Sequence, residues 1–165
     1  MRPTLRRLCV AAALVSLPVA AGCSGDPGKP SLEEAAKQLT ADGDKLIASR
    51  EVATSGEVTA TERADKDTES GCVPGQVQRF FRAQGDLSGP PDVHMPYNSA
   101  GLMQSAMKVM GYDAVVNDRD LRDDNLGVSV VRHAEMGLTF TLTVRNGQKP
   151  NILIVGKTDC YAPDR

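Results

Sequence analysis

The residues able to do chemistry in this 165-residue chain are two histidines, an aspartate-rich stretch, six methionines and four cysteines. His94 sits in a proline-rich segment and His133 near the end of an apolar run. Either imidazole has the proton affinity of a general base, as a hydrolase of the Ser-His-Asp kind requires. No Gly-x-Ser-x-Gly motif accompanies them, and no cysteine stands available as a nucleophile. Triads are assembled in space, so a cell-envelope hydrolase using His94 or His133 is kept as an alternative. Surface or loop histidines are the expectation.

Asp118, Asp120, Asp123 and Asp124 invite comparison with a calcium loop. The spacing fails: Arg122 takes the fifth position, the sixth lacks glycine, and Ser129 stands where a bidentate glutamate belongs. With Arg119 and Arg122 interleaved, the stretch reads as a solvated turn. Met95, Met103, Met107, Met110 and Met136, with His94, would suit a soft metal. Three of them recur at helical spacing, where core packing is the usual role. Glycine-rich phosphate loops and dinucleotide fingerprints are missing, and no cofactor or metal is expected. With no Trp and 4% aromatic residues, a ring-stacking sugar platform is disfavoured.

The N-terminal segment is more specific. Arg2, Arg6 and Arg7 precede a 14-residue apolar run, Leu8–Ala21, that ends in Ala20-Ala21-Gly22-Cys23. A positive start, a short apolar stretch and a small-residue cleavage site describe a secretory signal. The run falls short of the roughly 18 apolar residues that a spanning helix needs. Residues 1–23 resemble the leader of bacterial lipoprotein precursors. That resemblance implies a diacylglycerol on the Cys23 sulfur and cleavage between Gly22 and Cys23, so that residues 1–22 leave as signal peptide. Two acyl chains make a stable anchor, since each buried methylene contributes ~0.8 kcal/mol and one chain alone holds only marginally.

The same resemblance decides the remaining cysteines. Cys9 leaves with the leader and Cys23 carries lipid, which leaves Cys72 and Cys160 as one pair in an oxidising compartment. Closing a loop of about 89 residues would stabilise the fold by up to ~4.5 kcal/mol. The leader also holds three of the 19 basic residues and none of the 21 acidic ones, so the mature chain carries 16 against 21, a charge of −5. An acidic domain without a basic cluster is a poor nucleic-acid binder, and its membrane contact should come through the lipid alone.

These groups must be positioned by the domain that follows. Residues 23–30 form a lipidated N-terminus and short tether whose Ser24–Pro30 spans at most ~25 Å. A single α+β domain is expected over 31–165. Ser31 and Glu34 form a capping box for a helix with an apolar stripe at Leu32, Ala35, Ala36, Leu39, Leu46 and Ile47, and a break near Gly43 is allowed. Glu51–Ala64 reads as a long strand from its alternation of Val52, Thr54, Gly56, Val58 and Ala60, with Gln76–Leu87 antiparallel to it. Asn98 or Ser99 is expected to cap a second helix running to Met110, with Leu102, Met103, Ala106, Met107, Val109 and Met110 buried and Gly111 closing it. Tyr112–Asn117, Leu126–His133, Leu138–Arg145 and Asn151–Lys157 read as strands. Asn146-Gly147 predicts a type I′ hairpin turn, and the last strand, apolar on both faces, is placed centrally.

The expected architecture is two helices packed on one face of an antiparallel sheet, in the order α-β-β-α-β-β-β-β. The mature domain also looks like the small lipoproteins of high-GC bacteria, a likeness that implies no activity. The expected role is a non-catalytic binding or accessory lipoprotein at the extracytoplasmic face of the cell membrane, meeting a protein or lipophilic ligand there. A carrier with an apolar cavity between helices and sheet is a further alternative.

Overall fold

The computed structural model describes residues 28–89, 95–117, 123–147 and 149–163. Helix α1, Leu32–Ile47, begins where the capping box places it: the Ser31 hydroxyl accepts from the Glu34 N–H at 3.2 Å and the Glu34 carboxylate accepts from the Ser31 N–H at 2.9 Å. The Ser31 N–H and the Ser31 hydroxyl both donate to the Glu34 carboxylate, each at 2.9 Å, and hold that carboxyl below its ordinary range. The helix runs unbroken through Gly43, because that glycine lies against Phe81. A Cβ there would stand 2.6 Å from the phenyl carbons, so the missing side chain is what lets the helix lie on the sheet.

A second helix, α2 (Arg50–Ser55), occupies the start of the expected long strand. Ser49 caps it, its hydroxyl accepting from the Val52 N–H, and Val52 turns fully into the core. The alternation that suggested a strand is real only from Gly56 onward. Strand β1 is Gly56–Arg63 and β2 is Phe80–Leu87. Helix α3 (Met95–Val109) starts three or four residues before the expected cap and takes Pro96 into its first turn, where proline is tolerated. Gly111, at φ 91°, ends it in the left-handed conformation anticipated for that position. Strands β3 (Asp113–Asn117), β4 (Leu126–His133), β5 (Leu138–Arg145) and β6 (Ile152–Thr158) follow.

The expected layout is therefore corrected. Among the described residues there are three helices rather than two, the chain order is α-α-β-β-α-β-β-β-β, and the six strands lie as β1-β2-β6-β5-β4-β3. Every neighbouring pair is antiparallel. β6 lies between β2 and β5, two strands from the nearer edge. The loop before it is longer than a two-residue turn: Val144 pairs with Ile152 and the Arg145 N–H donates to the Asn151 carbonyl at 2.9 Å. Gly147 has the positive φ foreseen, but the type I′ register is replaced by a loop that includes a cis Lys149–Pro150 bond.

One core joins the helices to the inward face of the sheet. Leu39, Leu46, Val52, Phe81, Met103, Met107, Phe140, Leu142 and Ile154 are all completely buried within it. Two glycines bring the layers together: at Gly156 a Cβ would meet the Phe140 ring and Leu39, and at Gly127 it would meet the backbone of Pro96. Leu102 and Val109 are corrected from buried to exposed, Val109 at 88%. The inward side of α3 is Pro96, Ser99, Ala100, Met103 and Met107, a stripe that passes them by. On β4 the buried phase is Gly127, Ser129 and Val131, leaving Val128 and Val130 on the opposite face.

Candidate functional site

Cys23 and the Gly22–Cys23 cleavage position lie outside the described residues, as do His94, Asp118 and Asp120. The described chain opens at Gly28, five residues beyond Cys23. No described helix is long and apolar enough to cross a membrane. Cys72 and Cys160 form a disulfide with a Cα separation of 5.7 Å. It ties the segment before β2 to the residues after β6. Beside it the Val77 and Tyr161 backbones exchange hydrogen bonds at 2.8 Å, and the Gln78 side-chain amide donates to the Ser70 carbonyl.

His133 closes β4 on the helix-covered side, paired with Leu138. Its ring stands edge-on to Tyr112 at 5.3 Å between centroids, and its Nδ1 accepts from the Met136 N–H at 3.4 Å. Tyr112 is buried between His133 and Phe140, the latter at 5.6 Å. The phenol donates to the Asp42 carboxylate at 2.8 Å, and the Gln38 amide donates to the other carboxylate oxygen at 2.9 Å. Asp42 is only 6% exposed. A buried carboxylate is stable only with such donors, so Tyr112 and Gln38 are what permit Asp42 in the core.

That chain of groups does bring a histidine, a hydroxyl and a carboxylate together. Burial, then the Asp42 charge and the hydrogen bond to it, push the Tyr112 phenol far above its ordinary range. A phenol held neutral is an oriented donor, not a nucleophile. The imidazole meets the phenol ring by its edge, and the Ser129 hydroxyl on the same strand donates to Gln104 at 2.9 Å. The arrangement suits anchoring α1 to the chain after α3. Asp42 and Tyr112 were missed in the sequence, yet a signal was present: Asp42 falls in the apolar phase of α1, where a charge calls for buried partners.

Gln38 also lines a shallow open groove of about 690 Å³ between α1, the β4–β5 turn and residues 28–30. Lys29, Lys37, Glu34 and Glu135 give its walls both signs of charge. On the far side of β4, Arg132 makes a two-pronged pair with Asp159, at 2.9 and 2.8 Å, and also donates to the Thr139 hydroxyl. Asp123 accepts from the Asn125 N–H in a local turn, and Asp124 is exposed beside it. Met103 and Met107 are core residues, while Met110 and Met136 pack against that core. No group of three or more metal-ligating side chains gathers among the described residues. The space between helices and sheet that a lipophilic carrier would need is occupied by Leu39, Phe81, Met103 and Phe140.

The outward face of the sheet is a further surface. Strand pairing sets Thr141 and Thr143 of β5 between Val130 and Val128 of β4 and Val155 and Leu153 of β6, and Thr139 between Arg132 and Lys157. The three threonines and these four apolar residues are half-buried, while the fully buried residues of the same strands lie on the opposite, helix-covered face. Comparison of the chain with known protein families, with curated proteins and with solved structures returns no match, so what it does has to be argued from its own residues.

Proposed function

We propose that this chain is a lipoprotein held at the extracytoplasmic face of the cell membrane by a diacylglycerol on Cys23, and that its domain binds a partner there without catalysis. The observation that carries the reading is the Cys72–Cys160 disulfide, a bond that persists in oxidising compartments and is rare in the cytosol. The leader resembling a lipoprotein precursor and the folded domain beginning at α1, nine residues past Cys23, agree with it. So short a tether keeps the domain within ~30 Å of its anchor. The non-catalytic reading is supported by His133 and Tyr112, whose contacts serve packing, and by Asp42, whose carboxylate accepts from both Tyr112 and Gln38.

The test is metabolic labelling with an alkyne fatty acid, followed by fractionation of the wild type and of Cys23→Ala. The wild type should take up label and sediment with membranes. The variant should do neither, while Cys72–Cys160 still forms by thiol alkylation. Retention of Cys23→Ala in the membrane fraction would sink the anchor.

A further inference from the structure

The outward sheet face has a charge pattern that says what it can meet. Each of the four inner strands places one cation on it: Arg82 from β2, Lys157 from β6, Arg145 from β5 and Arg132 from β4. Arg82 is paired with Glu62 at 2.8 Å and lies over the Phe80 ring at 4.5 Å, and Arg132 is paired with Asp159. Among the described residues Lys157 and Arg145 form no ion pair; Arg145 donates to the Pro150 carbonyl, and Lys157 stands exposed near the end of β6. The outward acids fall on the outer strands, Glu57 and Glu62 on β1 and Asp113 on β3, apart from Asp86 on β2, which Lys149 neutralises at 2.8 Å. A chain that is acidic as a whole thus sets two cations without an ion pair, among the described residues, beside a strip of valine, leucine and threonine.

We propose that this face docks a protein surface with an apolar centre and a carboxylate rim. The inference rests on the reading of the domain as a binding module and names its partner's chemistry. A second copy of the chain is a poor occupant, because a twofold pairing of the face sets Lys157 and Arg145 against their own kind. An anionic glycan would find the outward ring of the described strands, Phe80, already covered by Arg82. Size agrees with a protein. Six strands about 4.8 Å apart and roughly 25 Å long offer ~600 Å², near the ~800 Å² per partner of a standard interface. The threonine hydroxyls along β5 supply polar contacts without the entropy that long side chains lose on docking.

The experiment places the photo-crosslinker benzoylphenylalanine at position 141 or, as control, at position 108 on the exposed side of α3, in the full chain in the cells that make it. Position 141 should yield a heterologous adduct, mapped by mass spectrometry to an Asp- or Glu-rich surface, and position 108 should not. Lys157→Glu should lower the yield at least tenfold and Lys157→Arg should keep it, with melting temperatures of both within 2 °C of the parent. An adduct of twice the chain's own mass, a carbohydrate adduct, equal yields from both positions, or indifference to Lys157→Glu would each overturn the proposal. So would no adduct at all. Because the crosslinked chain keeps Cys23, loss of the anchor reading would show in fractionation while the adduct pattern stays readable.

Discussion

The two faces of the sheet are written in nearly the same alphabet and behave differently. On β5, Leu138, Phe140, Leu142 and Val144 point to the helices with no accessible surface, and Thr139, Thr141 and Thr143 point away half-exposed. On β6, Ile152 and Ile154 face inward while Leu153 and Val155 face outward. The covered face is fitted: ring against ring, helix against glycine, a buried carboxylate held by two donors. The outward face has no opposing layer among the described residues, so nothing there fixes a side chain's volume. Shape is demanded on one side, and only strand propensity and charge on the other.

The largest effect should come from the fitted side. Phe140→Ala should cost ~3–5 kcal/mol by urea denaturation at an unchanged slope. Gly156→Ala should cost ~1–3 kcal/mol, since its Cβ would stand 2.5 Å from the Phe140 ring and 2.8 Å from Leu39. A near-neutral result would mean the layers are not in close contact, and the contrast between the faces would fail. Tyr112→Phe should cost ~1–3 kcal/mol near neutral pH, because Asp42 loses a donor in the core.

The same variant sharpens the picture in alkali. The folded phenol ionises above its unfolded value of about 10, so its contribution is complete below that pH and is lost as pH rises beyond it. The unfolded chain gives up the proton first. Urea midpoints measured from pH 8 to 11 should therefore fall less steeply for Tyr112→Phe than for the parent. Burial, followed by the Asp159 charge, raises Tyr161 as well, so the residual slope should shrink further in Tyr112→Phe/Tyr161→Phe. The smallest change belongs to the outward face. Thr141→Val should move stability by less than ~0.5 kcal/mol in the same assay. A large loss there would show that this face too is fitted.

Legibility followed the same division. The α1 start was readable because the Ser31–Glu34 box and the apolar stripe are local and agree. β5 was readable because it alternates without exception. α2 was not, since Val52, Thr54 and Gly56 alternate like a strand and only the Ser49 cap argued otherwise; a buried Val52 decided it. Leu102 and Val109 were misplaced because α3 carries more apolar residues than its contact with β4 and β5 can cover. The hairpin dipeptide Asn146-Gly147 lost to the register that β5 and β6 adopt with Ile152 opposite Val144. Candidate site residues were legible as types but not as neighbours. Nothing in the spacing of Asp42, Tyr112 and His133 announces that they converge, whereas the pairing of Cys72 with Cys160 followed once the other two cysteines were assigned.

The position of β6 sets the timing of assembly. As the chain is made from its N-terminus, β1 and β2 can form one two-stranded piece and β3, β4 and β5 a three-stranded one. The two share no backbone ladder until the final strand slides between them, its residues bonding Phe80–Gly85 on one side and Leu138–Val144 on the other. Until then, two inner strand edges stand open to any passing chain. Cys160, two residues past this keystone, is held 5.7 Å from Cys72 between Cα atoms when the strand is seated. The disulfide thus fastens the last strand to the segment before β2, and a chain cut short before Ile152 would be left as two sticky halves.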